Sequence, residues 1–318
     1  LHSDLDGHDA RDDEGVPIMS RITQHDRQGH DNVAVGTSVA LVTGGGRGIG
    51  RIVAEALAGS GVAVGVIARS STELRETVGT IEARGGTVAA ATADVTRPAD
   101  LANAIAGLRR DLGPFDLLVN NAGVVGPIGP LWEVDASEWW NAIDVNLRGI
   151  LLTSRLVLPE MVSRRRGRII NLSSQAGVHR WPLVSAYSVS KAAVTKLTEN
   201  LAHETARHGV GVFSVHPGLL PIGMSNSVTE GSATNPYEEN IFEWTTTELL
   251  EGRGAAPAEA VELILRLANG DGDALSGRHI SVHDNFDELV ARHTEIQFRD
   301  LYVLRPEHLT DRRKEARP

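Results

Sequence analysis

Residues 39 to 50 read Val-Ala-Leu-Val-Thr-Gly-Gly-Gly-Arg-Gly-Ile-Gly, and this stretch decides the fold. Val39–Val42 is a short apolar run that predicts a buried strand. Five of the seven residues from Gly44 to Gly50 are glycine, and the pattern of Arg51–Ala58 predicts a helix directly afterwards. Glycines let a phosphate approach the backbone closely, and a helix N-terminus presents free N–H groups to an anion. The stretch therefore predicts a nucleotide site, the alternative being a flexible loop without a ligand.

Strands and helices alternate along the following 240 or so residues. Further strands are predicted at Val62–Ala68, Thr87–Ala93, Phe115–Val119, Arg168–Leu172, Val210–Val215 and His279–Val282. Further helices are predicted at Thr72–Ala83, Ala99–Arg110, Ser137–Ser163, Ala186–Arg207 and Ala258–Ala268. Such alternation is typical of a parallel sheet covered by helices on both faces. We therefore expect an α/β fold, a single doubly wound domain over about residues 37–290.

Three segments fall outside this alternation. Residues 1–36 are rich in Asp, His, Arg and Gly and predict a disordered N-terminal tail. The polar stretch at about 220–255, with interspersed aromatic residues, predicts a mobile lid over a substrate. Residues 291–318 form a C-terminal extension that we expect to pack on the body or on a neighbouring subunit, with its last ten residues solvated.

Composition excludes several classes of function. The 318 residues include no cysteine, which rules out disulfides, thiolate metal sites and cysteine nucleophiles. The net charge of −10 disfavours a nucleic-acid partner. No apolar stretch approaches the ~20 residues that a membrane-spanning helix needs, and no secretory signal is visible. The twelve histidines form no metal-binding motif. We expect a cytoplasmic protein without a metal.

The end of the second predicted strand bears on the choice of dinucleotide. An acidic residue at this place binds the ribose 2′-hydroxyl of NAD, whereas an arginine accommodates the 2′-phosphate of NADP. Here Ala68 occupies the place of the acid, Arg69 follows, and Arg47 lies in the glycine loop. The pattern predicts a preference for NADP(H), with NAD(H) as the alternative; either arginine could also be an ordinary solvated side chain.

A tyrosine and a lysine are spaced for proton transfer. Tyr187 and Lys191 lie four residues apart in a predicted helix, so their side chains share one face. A free phenol has a pKa near ~10, and a neighbouring cation lowers that value. Ser174, thirteen residues before the tyrosine, could hold a carbonyl or alcohol oxygen. The spacing alone also fits an exposed pair without a function.

Taken together, these motifs resemble the short-chain dehydrogenase/reductase family over about Ser38 to Val282. The resemblance implies a Rossmann-like fold, a nicotinamide cofactor and a small carbonyl or alcohol substrate. It implies four catalytic residues: Asn146, Ser174, Tyr187 and Lys191. The residues that it implies for cofactor binding are Thr43, Gly44, Gly46, Arg47, Gly48, Ile49, Gly50, Arg69, Asp94, Val95, Asn121, Ala122, Gly123, Tyr187, Lys191, Pro217 and Gly218.

In this resemblance Tyr187 is the general acid or base, Lys191 lowers its pKa and holds the nicotinamide ribose, and Ser174 binds the substrate oxygen. Asn146 holds a water that passes protons towards Lys191. The family also implies a homo-oligomer, a dimer or tetramer formed through the two long helices. A non-catalytic dinucleotide sensor is the alternative of a different class.

The chain departs from the family pattern after Pro217-Gly218. The family usually has a threonine four residues past the glycine, where this chain has Ile222. The contact of that threonine is then either lost, supplied by Ser225, or supplied by the backbone of Leu220 or Ile222. We further expect that His179, Arg180, Trp181, Gln175, Val125 and Trp132 line the substrate pocket or pack in its loops.

Overall fold

A computed structural model describes residues 39–224 and 233–306. The predicted N-terminal tail, Ser225 and the last ten residues lie outside the described residues. In the described part, all the strands join one parallel sheet in the order β3-β2-β1-β4-β5-β6-β7. The strands are β1 Val39–Thr43, β2 Ala63–Ala68, β3 Val88–Thr92, β4 Leu117–Asn120, β5 Gly167–Leu172, β6 Val210–His216 and β7 His279–Ser281. The predicted α/β fold with a doubly wound parallel sheet is confirmed.

Helices connect these strands and cover the sheet. The first six are α1 Gly48–Gly59, α2 Ser71–Ala83, α3 Pro98–Leu112, α4 Ala136–Ile143, α5 Gly149–Arg164 and α6 Ser185–Thr205. After β6 follow α7 Pro236–Leu250, α8 Pro257–Asn269, α9 Phe286–Ala291 and α10 His293–Phe298. Each strand that the sequence predicts is present to within two residues at either end. A short apolar run leaves few alternative positions for the strand.

The two faces of the sheet are buried in separate hydrophobic clusters. Along β1, Ala40 and Val42 belong to one cluster, while Val39 and Leu41 belong to the other. This alternation follows from the period of two along a strand. Both faces are apolar because helices cover both, as is usual in a parallel sheet.

The long helix predicted over Ser137–Ser163 is interrupted by a different kind of turn. Residues Asp144–Arg148 form a π-helical turn between α4 and α5, in which the Gly149 N–H donates to the Asp144 carbonyl five residues back. π-turns are rare and are frequent at functional sites. The turn contains Asn146, whose side chain bonds outside its own helix.

The segment predicted as a lid contains a helix. α7 begins at Pro236, and the side chain of Asn235 caps it by accepting from the N–H groups of Tyr237 and Glu238. Such a cap followed by proline is a typical helix start. Residues 225–232 of this segment lie outside the described part, and the mobility of the segment stays a prediction.

The C-terminal extension packs on the body as far as the structure describes it. Ile296 of α10 is buried in the main cluster. The Arg305 guanidinium contacts the Glu199 carboxylate on α6, and the His279 N–H donates to the Tyr302 carbonyl at 2.8 Å.

None of the described helices is both long and apolar enough to cross a membrane. Three large apolar side chains on the two long helices are exposed, namely Trp140, Leu151 and Val189. A homo-oligomer through these helices stays a prediction.

Candidate active site

The carboxyl ends of four strands lie at one edge of the sheet, and most of the predicted site residues lie there. The strand order reverses between β1 and β4, which is where open α/β sheets bind ligands. A cavity of about 1200 Å³ opens at this edge. It is bordered by the glycine loop after β1, by the turn after β4, by the loop after β5 and by the segment after β6.

The glycine loop fits closely against the turn that follows β4. The Asn121 amide Nδ2 donates to the Thr43 carbonyl at 2.9 Å and to the Gly44 carbonyl at 3.1 Å. A Cβ at Gly44 would lie 2.7 Å from that nitrogen, and one at Gly50 would lie 2.2 Å from it. These positions cannot carry a side chain without displacing Asn121, so the loop backbone borders the cavity directly.

Helix α1 begins in this loop without a side-chain cap in the described structure. Arg47 occupies the N-cap position and its side chain makes no capping bond. Gly48 has φ +55, and a Cβ there would lie 3.0 Å from the Cα of Gly223, which itself has φ +63. The helix start is therefore an anion site that nothing in its own helix fills. A dinucleotide pyrophosphate fits this cradle.

The end of β2 combines charges of both signs. Arg47, Arg69 and Glu73 all border the cavity. The Glu73 carboxylate lies 3.8 Å from Arg47 Nε, and a Cβ at Gly46 would lie 3.3 Å from it. The sequence pattern indicated the two arginines but not Glu73, because Glu73 lies in the first turn of α2 rather than at the strand end. A carboxylate therefore lies near the end of β2, although it comes from a helix and not from the strand.

Asp94, after β3, borders the same end of the cavity. Its carboxylate accepts from the Thr96 N–H at 2.9 Å and from the Thr96 hydroxyl at 2.7 Å. Burial acts to raise the pKa of Asp94, but these bonds and the charges of Arg69 and Arg97 bring it below its ordinary value. The carboxylate is therefore a fixed anion at neutral pH.

Ser174, Tyr187 and Lys191 come together at the other end of the cavity. Tyr187 and Ser174 border the cavity together, and the Ser174 hydroxyl lies close enough to act on the pKa of the Tyr187 phenol. The Lys191 ammonium lies 5.5 Å from the centroid of the Tyr187 ring and donates to the Leu172 carbonyl at 2.8 Å. α6 supplies the tyrosine and the lysine one turn apart, and the end of β5 supplies the serine. The grouping predicted from spacing is present.

The pKa values of this group differ from the expectation. Burial raises the pKa of the Tyr187 phenol, a shift that the hydrogen bond with Ser174 reduces. Burial also lowers the pKa of Lys191 to about 8. Spacing indicated a tyrosine acidified by its neighbour, but desolvation of both groups dominates here. At neutral pH the phenol is protonated and the ammonium is charged.

Asn146 is buried beside this group and is bonded to the chain. Its Nδ2 donates to the Val124 carbonyl and to the Ser190 hydroxyl, both at 2.9 Å, and its Oδ1 accepts from the Val124 N–H at 2.8 Å. Both of its donors are therefore used, and one lone pair of Oδ1 remains. A Cβ at Gly123 would lie 3.2 Å from that oxygen and 3.7 Å from Lys191 Nζ.

The remaining predicted residues divide into those that border the cavity and those that do not. Thr43, Gly50 and Asn146 do not border it. The Thr43 hydroxyl instead accepts from the N–H groups of Asn121 and Ala122 at 3.1 and 3.2 Å. The other predicted cofactor residues that border it are Gly44, Gly46, Gly48, Ile49, Val95, Asn121, Ala122, Gly123, Pro217 and Gly218.

Among the predicted pocket residues, Trp132 is outside the cavity and 85 % exposed. Those that border it are Gln175, His179, Arg180, Trp181 and Val125. His216, at the end of β6, also borders it and was missed by the sequence analysis. Burial lowers the pKa of His216 to about 3, and its Nδ1 has no hydrogen-bond partner among the described residues.

A sequence model of the short chain dehydrogenase family matches residues 38–233. The chain belongs to the short-chain dehydrogenase/reductase family. It is therefore an oxidoreductase, and the resemblance stated from the motifs is confirmed.

Known members of the family share most of their length with this chain. Galactitol 2-dehydrogenase of Rhizobium johnstonii is 37 % identical over 250 residues, which cover 78 % of this chain and 94 % of that protein. An actinorhodin polyketide ketoreductase solved with NADPH has a TM-score of 0.71 and 32 % identity, covering 77 % of this chain and 95 % of its own. A xylitol dehydrogenase solved with NAD⁺ has a TM-score of 0.70 and 25 % identity, covering 77 % and 96 %.

Proposed function

We propose that this chain interconverts a ketone and a secondary alcohol with a nicotinamide dinucleotide, preferring NADP(H). The observation that carries the proposal is the position of Ser174, Tyr187 and Lys191 on the same cavity as the glycine loop. A dinucleotide bound along that loop has one end near these three side chains. The relatives solved with NADPH and with NAD⁺ support a cofactor of this class.

The residues that fit the dinucleotide are distributed along the whole cavity. The N–H groups at the start of α1 suit its pyrophosphate. Asp94 and Arg69 suit the adenosine end, and Lys191, with two ammonium N–H groups beyond its bond to Leu172, suits the ribose at the other end. When bound, the nicotinamide supplies or accepts the hydride, and the protein supplies placement.

Tyr187 moves the proton. Its raised pKa keeps the phenol protonated at neutral pH, which is the form that gives a proton to a carbonyl oxygen as negative charge develops on it. The Ser174 hydroxyl, which borders the same cavity, can donate to that oxygen. Lys191 keeps a positive charge beside the ring and favours the phenolate that remains.

The preference for NADP(H) depends on Arg47 and Arg69, two cations at the end of β2 that suit a 2′-phosphate. Glu73 favours a second candidate, an NAD(H)-linked dehydrogenase of the same family. Its carboxylate lies 3.8 Å from Arg47 Nε and can accept from a ribose 2′-hydroxyl. We assign the balance to NADP(H) because two positive charges face one negative charge.

Cofactor consumption tests the proposal. We expect the purified chain to oxidise NADPH with at least one ketone of a panel that spans cyclic, open-chain and polyhydroxy compounds. With NADPH deuterated at C4 of the nicotinamide, we expect deuterium on the carbinol carbon of the product. A chain that binds NADPH but oxidises it with no ketone is a sensor, and tighter binding of NADH than of NADPH contradicts the preference.

A further inference from the structure

We infer that the substrate is a ketone carried on or beside an apolar ring, and that the ring is held by Trp181 and Trp244. The inference rests on the proposed function and names the substrate class of the same site. It comes from a group of three aromatic side chains, Tyr187 and the two tryptophans, that border the cavity together.

The three rings are in direct contact. Trp181 meets Tyr187 edge-on, with ring centroids 6.2 Å apart and an interplanar angle of 80°. Trp244 also contacts Trp181, with ring centroids 5.2 Å apart and an interplanar angle of 60°. Trp181 belongs to the loop after Ser174, and Trp244 to α7. Two separate segments thus bring indole rings to the tyrosine that bears the reacting proton.

Trp244 is incompletely covered by the protein. It is 43 % exposed although it borders the cavity. Covering an apolar surface stabilises a complex by roughly 25 cal/mol per Å², and aromatic pairs add about 0.5–1.5 kcal/mol when their geometry is good. A flat apolar ring therefore gains more binding free energy from contact with Trp181 and Trp244 than an open chain of equal carbon number. The open chain must also lose rotational freedom.

The other side chains around the tryptophans disfavour a substrate rich in hydroxyl groups. Val125, Ile128 and Ile241 border the cavity and are apolar. Two of the charged side chains that border the cavity satisfy each other, because Arg253 donates to Glu248 at 2.8 and 2.6 Å. Each hydroxyl that leaves water without a new partner costs about 1–3 kcal/mol. A polyhydroxy ketone would lose such bonds wherever its hydroxyls face the indole rings and these apolar side chains.

The cavity is large enough for the dinucleotide and a ring system together. Its volume of about 1200 Å³ exceeds the roughly 300–1000 Å³ that is usual for one small ligand. A one- or two-ring ketone can therefore occupy the aromatic end while the glycine loop holds the cofactor.

Two ketones of equal carbon number separate shape from size. The test uses 2-tetralone, which has two fused rings, and 2-decanone, which has none; xylulose represents the polyhydroxy class. The variants are Trp181→Leu, Trp244→Leu and Trp244→Phe. Trp132→Leu is the matched control, since Trp132 is exposed outside the cavity.

For the wild type we expect kcat/KM to be highest with 2-tetralone. Trp181→Leu and Trp244→Leu should lower it about tenfold for 2-tetralone and much less for 2-decanone, since a lost aromatic contact acts on the ring. Trp244→Phe should restore most of the loss, and Trp132→Leu should behave as wild type. Equal losses for both ketones, or a preference of the wild type for xylulose, overturn the inference.

A binding measurement separates this inference from the proposed reaction. Titration calorimetry of 2-tetralone into the NADP⁺-bound Tyr187→Phe variant reports binding without turnover. We expect binding there, and about tenfold weaker binding when Trp244→Leu is added. Binding without turnover in the wild type would contradict the proposed reaction and keep the ring site; no binding to either form would overturn the ring site.

Discussion

The ammonium of Lys191 lies 5.5 Å from the centroid of the Tyr187 ring, and both side chains project from one face of α6. The two groups are desolvated together, so that the pKa of the tyrosine rises and that of the lysine falls to about 8. A protonated phenol beside a charged ammonium suits the proton donation to a ketone that the proposed reaction requires at neutral pH.

Replacing Tyr187 by Phe should abolish turnover and spare cofactor binding. The change removes only the hydroxyl that carries the proton, and general acid catalysis contributes about 10²–10⁴-fold to a rate. We expect kcat/KM to fall by about that factor, with an unchanged dissociation constant for NADPH in a fluorescence titration. Tyr237→Phe, on α7 outside the cavity, is the control. Retained turnover would remove Tyr187 as the acid.

The buried Lys191 should make stability depend on pH above neutrality. The folded chain holds this lysine with a pKa of about 8, against 10.5 for an unperturbed lysine. Between these values the unfolded chain binds more protons, so stability rises with pH. The gain reaches about 1.4 kcal/mol for each pH unit.

Urea denaturation of the wild type and of Lys191→Met at pH 8, 9 and 10 measures this effect. The free energy of unfolding of the wild type should rise relative to that of the variant over this range. Lys196→Met removes a lysine of the same helix that is half exposed and pairs with Glu199. The difference in free energy of unfolding between the wild type and this control should not change over the same pH range. A constant difference between wild type and Lys191→Met would contradict a depressed pKa.

Glu73 should weaken the preference for the 2′-phosphate. Its carboxylate lies 3.8 Å from Arg47 Nε and repels a phosphate placed at the same cations. Exposed pairs of this kind contribute up to about 1 kcal/mol, so Glu73→Gln should shift the ratio of NADH to NADPH dissociation constants about fivefold towards NADPH. Arg47→Ala should shift it the other way.

Both dissociation constants can be obtained by fluorescence titration at two salt concentrations, since screening reduces such effects. Glu76→Gln is the control, because Glu76 lies on the same helix and pairs with Arg51 at 3.1 Å. An unchanged ratio in Glu73→Gln would place its carboxylate outside the ribose subsite.

The sequence allowed most of the sheet to be predicted because its signals are local. The run Val39–Val42 and the glycines after it specify a strand and a turn without reference to distant residues. The Tyr187–Lys191 spacing likewise follows from the period of one helix. These features required only neighbours along the chain.

The features that were missed depend on distant contacts. Glu73 reaches the cofactor end only because α2 packs beside the glycine loop, and the pKa of Tyr187 rises because the folded chain buries it. The helix α7 is a different case, since Asn235 and Pro236 are a local start signal that its polar composition concealed. Nothing in the sequence indicates the π-turn at Asn146, and Asn146 itself was indicated only by the family resemblance.

Asn146 should stabilise the fold as well as the site. The Asn146 amide bonds both the N–H and the carbonyl of Val124, in the segment that follows β4. Asn146 itself is fully buried. Asn146→Ala leaves these groups and the Ser190 hydroxyl without this partner, and each unsatisfied buried group costs about 1–3 kcal/mol. We expect the free energy of unfolding to fall by at least about 2 kcal/mol, measured by urea denaturation.

Asn141→Ala, exposed on α4, should change it by less than about 0.5 kcal/mol. A loss no larger than that of Asn141→Ala would show that the π-turn holds without the amide, and Asn146 would then be retained for chemistry alone.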